Sequence, residues 1–161
     1  MVFFMNNYEL LLDKVSTELP VLEVSIPQNY NKDGLYRNGR IYIEKNNSMK
    51  RKREILAEEY AHHKTSVGNI INLDNPLNSK QELYARKLSI ERLVSLDDLI
   101  ECGFAGCSTK YECAEYLDIT EEFLREVIDH YRVKHGVTYL YRGCILNFTG
   151  ESIVMIDTGL N

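Results

Sequence analysis

Three side chains suited to acid-base or metal chemistry fall close together at Glu58, Glu59 and His62. An α-helix turns about 100° per residue, so Glu58 and His62, four residues apart, share one helix face. Glu59 lies about 60° round the helix from His62 and can reach the same site. A carboxylate and an imidazole on one face can hold a divalent metal ion, and a second carboxylate beside them can act as a general base. This stretch therefore predicts a candidate site on one helix.

The spacing is that of the H-E-x-x-H pattern, with Glu58 in place of the first histidine. In that pattern the outer residues hold Zn²⁺ and the inner glutamate is the general base. Carboxylates bind zinc at about 2.0–2.2 Å, although a harder and more anionic donor set shifts the preference towards Mn²⁺ or another divalent ion. His63 in place of Glu58 is an open alternative, and it requires a distorted helix because adjacent residues point about 100° apart.

A catalytic zinc needs three protein ligands and one open position, so the third ligand must come from another element. Glu82 is the best candidate, because it follows His62 after one short connection and lies early in the next helix. Ser79 and Glu82 also form a capping-box pattern that would open that helix. Each acid alone has an ordinary structural explanation, but their joint placement favours a site. We expect Glu58, His62 and Glu82 to bind the metal and Glu59 to be catalytic.

The elements before this helix are expected to form a small antiparallel sheet. Asn38-Gly39 between two short β-rich segments is a strong signal for a hairpin. Asn46, Asn47 and Ser48 offer caps for the active helix. The elements expected here are a helix over residues 8–15, strands over 21–26, 35–37 and 40–44, and the active helix up to about Thr65, with Gly68 as its stop signal.

The rest of the chain is expected to be mainly helical and to end in a hairpin. Residues 1–101 are predicted as the core domain, and residues 102–161 as a helical pair and C-terminal β-hairpin packed on it in one compact unit. The expected fold class is α+β. The predicted elements are helices over residues 80–100, 111–117 and 120–135, a hairpin over 137–141 and 144–148, and a last strand over 152–156.

Composition narrows the class of function. The net charge of −5 and a pI near 5.4 argue against a protein that binds nucleic acid by neutralising phosphates. No apolar run approaches the roughly 20 residues that span a bilayer, and the N-terminus lacks the features of a signal peptide, so we expect a cytoplasmic protein. The basic run over residues 50–53 is either a solvated helix face or a contact for an acidic partner or substrate.

Four segments in order resemble the ImmA/IrrE family of metallo-endopeptidases, most closely its phage and mobile-element branch. Residues 55–70 (ILAEEYAHHKTSVGNI) are similar to the family's active helix, and residues 80–87 (KQELYARK) to the segment with its third ligand. Residues 48–53 (SMKRKR) and 115–124 (EYLDITEEFL) also resemble that branch. The similarity covers roughly residues 20–135.

The resemblance implies a zincin-like mini-protease core of the gluzincin type, with zinc as the expected metal. Carried onto this chain, Glu58 takes the place of the first ligand, Glu59 of the base, His62 of the second ligand and Glu82 of the third. Family members of this kind cleave or antagonise a helix-turn-helix repressor of phage type, which makes such an antirepressor function the prediction here. The alternative is a metal-free, protease-like module that antagonises a repressor by contact. Direct binding to nucleic acid through the acidic helices over residues 111–135 is not expected.

Overall fold

The protein has an α+β architecture, as the sequence predicts, and the computed structural model describes residues 4–66 and 76–160, without the side chains of 76–78. Contacts divide the chain into two compact units, residues 1–89 and 90–161. The domain division after residue 101 stays a prediction. Within the described ranges, no helix is both long enough and apolar enough to span a bilayer. The predicted stop at Gly68 lies outside the described residues.

The first unit packs two helices against a three-stranded sheet. Tyr8 and Val15 of the first helix, Ile41 and Ile43 of the sheet, and Ile55 of the second helix belong to one buried cluster. The unit contains α1 (Asn7–Ser16), β1 (Val21–Val24), a 3-10 turn (Gln28–Tyr30), β2 (Gly34–Arg37), β3 (Arg40–Glu44), α2 (Met49–Thr65) and most of α3 (Pro76–Leu93).

The sheet has the order β1-β3-β2. The β2–β3 hairpin is antiparallel, as expected, and Asn38 and Gly39 both adopt positive φ (52° and 69°), which a two-residue hairpin turn of type I′ requires. β1 differs from the expectation, because it lies parallel to β3, with Val21 opposite Ile41. A parallel neighbour needs a long connection, and the segment containing the 3-10 turn and β2 provides it.

α2, the helix that contains Glu58, Glu59 and His62, begins as the sequence predicts, since the Ser48 side chain caps it by accepting a hydrogen bond from the Arg51 N–H. Two basic residues of its first turns form ion pairs inside the unit. The Arg51 guanidinium binds Asp33 at 2.8 Å, and the buried Lys52 ammonium binds Glu23 at 2.8 Å. Lys52 is therefore neither part of a solvated face nor available to an external partner.

The prediction of a single helix over residues 80–100 is wrong in two respects. Ser79 lies inside α3, so the predicted capping box at Ser79 and Glu82 does not open the helix; Pro76, a residue favoured in the first turn, begins it. α3 then ends at Leu93, because Ser95 and Asp98 form a reciprocal capping box that begins a new helix.

The second unit combines helices with a small antiparallel sheet of order β4-β5-β6. Its predicted helices, hairpin and last strand are all present. The Thr120 side chain caps the longest helix, and Phe123 and Leu124 lie buried on its inner face. The unit contains α4 (Leu96–Phe104), α5 (Lys110–Leu117), α6 (Glu121–His135), β4 (Thr138–Tyr141), β5 (Cys144–Asn147) and β6 (Val154–Asp157).

Candidate metal centre and its neighbours

The last turns of α2 and the early turns of α3 bring together the three residues that the sequence predicts as metal ligands. Glu58 and His62 lie on adjacent turns of α2, and Glu82 comes from α3. One ligand atom of each residue lies within 4.8 Å of the others, and His62 Nε2 is 3.5 Å from Glu82 Oε1. The three donors therefore converge on one point, while their role as ligands stays a prediction.

The donor set fits a divalent metal ion. Two carboxylate oxygens and one imidazole nitrogen match the number and type of protein ligands in a catalytic zinc site. Glu58 and His62 are half-buried, whereas the Glu82 side chain is 64% exposed. Solvent therefore reaches the group, as the open position of a catalytic site requires.

Arg86 is a member of this neighbourhood that the sequence interpretation missed. Its guanidinium donates a hydrogen bond to the Glu58 carboxylate, and both side chains are about three quarters buried. Arg86 follows Glu82 by four residues on α3, and this helical spacing was the signal that could have found it. A neutral imidazole and two carboxylates carry two negative charges, and Arg86 reduces this to one. That is the charge of a ligand set with two histidines and one glutamate.

The Glu59 carboxylate lies beside this group and against β2. Burial raises the pKa of Glu59 to about 8, and the neighbouring Glu58 charge adds to the shift. The Tyr36 backbone N–H, which donates to this carboxylate, and the nearby Lys32 ammonium both lower the pKa. A divalent cation on the adjacent residues would act in the same direction as Lys32, because positive charge favours the ionised carboxylate.

Gly34 permits the close approach of β2 to Glu59. A Cβ atom at position 34 would come within 2.2 Å of Ile55 Cγ2 and 3.2 Å of Glu59 Oε1. Any larger residue would therefore displace Ile55 or Glu59, so the absence of a side chain at this position helps to place the predicted base. The Asn-Gly hairpin signal does not predict this contact, because the contact depends on the packing of β2 against α2.

His63, the alternative ligand, is directed towards different partners. Its Nδ1 atom lies 3.0 Å from the Tyr36 hydroxyl, and its ring stacks on Tyr60 with centroids 6.2 Å apart. The three-residue group contains His62 and not His63. α2 remains helical through both histidines, so the distortion that the alternative requires is absent from this described part of the helix.

The sequence matches the model of a known protein family. The family model for the IrrE N-terminal-like domain, a peptidase family, matches residues 18–128. The chain therefore belongs to that family, and the resemblance to ImmA/IrrE proteins is confirmed. Searches among curated proteins and among solved structures gave no match. Membership of a peptidase family gives the chain a metallopeptidase-like function, with a protein as the class of substrate.

Proposed function

We propose that the protein is a metal-dependent endopeptidase in which Glu58, His62 and Glu82 bind the ion and Glu59 is the general base. The convergence of three ligand atoms within 4.8 Å, next to a carboxylate held by β2, is the observation that carries the proposal. Zn²⁺ is the first candidate, and the second carboxylate leaves Mn²⁺ or another divalent ion as an option.

When bound, the ion supplies a Lewis acid that polarises the scissile carbonyl and makes water easier to deprotonate. Glu59 accepts the proton of the attacking water and returns it to the departing amine. The Tyr36 N–H and the packing of Gly34 hold the Glu59 carboxylate in place for both transfers. The exposed Glu82 leaves the substrate side of the site open.

The proposed substrate is a helix-turn-helix repressor of phage type in the cytoplasm. The similarity to the phage and mobile-element branch of ImmA/IrrE proteins supports this choice, and family membership supports a protein substrate in general. Cleavage of the repressor would make this chain an antirepressor.

The test combines metal analysis with a cleavage assay. Protein purified without chelator is expected to contain about one divalent ion per chain and to cleave the repressor encoded nearest to its gene. Glu59→Gln is expected to lower the cleavage rate by about 10²- to 10⁴-fold, the usual contribution of a general base. Glu122→Gln makes the same change on an exposed position of α6 and should leave the rate unchanged. Equal rates for wild type and Glu59→Gln would exclude this mechanism.

The Arg86–Glu58 ion pair favours a second candidate, a metal-free module that binds the repressor without cutting it. A guanidinium that satisfies the Glu58 carboxylate can stabilise the acidic group without an ion. This candidate predicts protein without bound metal, an uncut repressor, and repressor binding that Glu59→Gln leaves intact. Metal content and cleavage measured on one preparation distinguish the two candidates.

A further inference from the structure

Three of the four cysteines of the chain meet in the second unit. The Cys102 thiol of α4 is hydrogen-bonded to the thiols of Cys107, in the turn after α4, and of Cys113 in α5. All three are free thiols. Cys102 and Cys113 are fully buried, whereas Cys107 is partly exposed. The cluster therefore has one thiol that a small solute can reach, in contact with one that it cannot.

The end of α4 explains why Cys102 and Cys107 meet. The Cys107 N–H donates to the Cys102 carbonyl at 3.4 Å, and the Gly106 N–H donates to the Gly103 carbonyl at 3.0 Å. Gly106 has the left-handed φ of 82°. Two such bonds around a left-handed glycine form a Schellman motif, which brings together the side chains at the two ends of its outer bond. In this turn that contact joins two thiols, so the backbone itself holds the pair.

The three thiols are arranged in pairs and do not form a metal cage. Within residues 4–66 and 76–160, three donor atoms that all lie within 4.8 Å of one another occur only at the candidate metal centre. Cys107 and Cys113 each contact Cys102, but the three sulfur atoms do not meet that condition. A tetrahedral zinc site needs its thiolates around one point. The pairwise contacts of Cys102 are instead the arrangement that a disulfide requires.

We propose that Cys102 and Cys107 form a reversible disulfide when the protein meets a peroxide, which makes the turn after α4 a redox-sensitive site. The Cys107 thiolate attacks one peroxide oxygen and the O–O bond breaks, which gives a sulfenic acid and a hydroxide that takes up the proton lost by the thiol. The Cys102 sulfur then attacks the sulfenic sulfur. The S–O bond breaks, and the leaving hydroxide takes the Cys102 thiol proton. Two thiols and one peroxide thus give one disulfide and two waters.

Access decides which pair is oxidised. Burial, followed by the neighbouring thiols of Cys113 and Cys107, raises the pKa of Cys102 above its ordinary range, so this thiol stays protonated at neutral pH. Cys113 is as buried as Cys102, so an oxidant in solution reaches Cys107 first. The proposed disulfide does not depend on the peptidase function, because the predicted metal ligands and general base all belong to residues 1–89.

Peptide mapping of the oxidised protein tests the proposal. Reduced protein is treated with hydrogen peroxide, unfolded, alkylated and digested with trypsin, which places Cys102 and Cys107 on residues 93–110 and Cys113 on residues 111–125. The first peptide should lose the mass of two hydrogen atoms and stay unalkylated, the second should be alkylated, and dithiothreitol should restore both thiols. Two free thiols after peroxide, a bridge between the two peptides, or a sulfinic acid without a bridge would each overturn the assignment.

Matched alanine substitutions separate the roles of the thiols. Cys107→Ala removes the accessible thiol and should slow the loss of the Cys102 thiol under peroxide by at least about tenfold, because the remaining thiol is buried. Cys113→Ala should leave the Cys102–Cys107 bridge in place, as should Cys144→Ala at a buried position of β5. Thermal unfolding curves check that each variant is folded. An unchanged rate for Cys107→Ala, or loss of the bridge in folded Cys113→Ala, would contradict the proposal.

Gly106→Ala tests the contribution of the turn. Alanine is strained at the left-handed φ of Gly106, although nothing lies within 4 Å of the place of its Cβ. The substitution should lower the equilibrium constant of the disulfide, measured in glutathione redox buffers, by about fivefold. Gly159→Ala is the matched control, because Gly159 also has a positive φ and open space, and it should leave the constant unchanged. Equal constants for wild type and Gly106→Ala would mean that the turn does not hold the pair.

Discussion

The two halves of α2 differ in which charges lie next to their charged side chains. In the first half, Arg51 binds Asp33 and the buried Lys52 binds Glu23, so each of these cations faces an acid of the sheet region. In the second half, Glu58 and Glu59 lie side by side with Glu82 nearby, and burial, followed by the charges of Glu58 and Glu82, raises the pKa of Glu59. Arg86 is the cation bound to this acidic group.

This difference assigns a role in stability to one half of α2 and a role in ion binding to the other. Opposite charges in contact stabilise the folded state. Like charges gathered in a partly buried site destabilise it, and a bound cation offsets their repulsion. The first half of α2 therefore anchors the helix on the sheet, and the second half carries the residues that can bind an ion. Mutations in the two halves should give different results in unfolding and metal-binding measurements.

The largest change in Zn²⁺ affinity is expected for a substitution of His62. His62→Ala removes one of three ligands and should lower Zn²⁺ affinity by more than about 100-fold, because loss of an outer-shell partner alone costs 10- to 100-fold. The free energy of unfolding of the metal-free protein should fall by no more than about 1 kcal/mol, because the His62 side chain is 18% exposed and truncation removes only part of its packing. Competition with a chelating dye and urea unfolding measure the two quantities. Unchanged zinc affinity would remove His62 from the site.

A substitution of Lys52 should lower the stability of the fold and leave Zn²⁺ affinity nearly unchanged. Lys52→Ala removes a buried alkyl chain and leaves Glu23 without its cation, so the free energy of unfolding at neutral pH should fall by about 1–3 kcal/mol. Zinc affinity should stay within about threefold of wild type. Lys14→Ala, an exposed lysine of α1, is the matched control. A Lys52→Ala protein with normal stability and weakened zinc binding would reverse the roles assigned to the two halves.

The effect of Lys52 should also depend on pH. The hydrogen bonds from Lys52 and Tyr8 hold the pKa of Glu23 below its ordinary value of 4.5. A depressed folded-state pKa adds stability above pH 4.5 that is lost as the pH falls through the folded-state value. Urea unfolding should therefore show a smaller difference between wild type and Lys52→Ala in acid than at neutral pH, and a larger difference in acid would contradict the pairing.

Arg86 should have an intermediate effect on metal binding. Arg86→Gln removes a positive charge next to Glu58, so affinity for Zn²⁺ should rise by about tenfold, equivalent to roughly 1.4 kcal/mol. Arg86→Lys keeps the charge and should remain near wild type. Competition titrations of both variants provide the comparison. Weaker binding by Arg86→Gln than by Arg86→Lys would mean that Arg86 orients Glu58 for the metal.

The smallest effect is expected at His63. Because its ring contacts Tyr36 and Tyr60, His63→Ala should change Zn²⁺ affinity by less than about threefold. The neighbouring His62→Ala is the internal comparison, since the two variants make the same change one residue apart. A loss of affinity at His63 as large as that at His62 would restore the alternative ligand arrangement. The same dye competition assay measures both.

Local elements could be predicted because their signals lie within a few residues of sequence. The Ser48 cap, the Asn38-Gly39 turn and the four-residue spacing of Glu58 and His62 each fix a short piece of backbone or one helix face. The break between α3 and α4 also had a local signal, the capping box of Ser95 and Asp98. The apolar pattern on both sides of this capping box led instead to one continuous helix.

The amino-acid sequence was enough to predict α2, its acidic and histidine face, and the family to which the chain belongs. The sequence also predicted Glu82 near His62, whereas two other contacts of that face emerged from the folded structure alone: Arg86 on Glu58 and Gly34 against Glu59. These contacts join positions about 20 to 30 residues apart, and the β1–β3 pairing and the burial of Lys52 likewise join distant segments. Helical periodicity fixes directions within one element, whereas contacts between elements depend on how their surfaces pack.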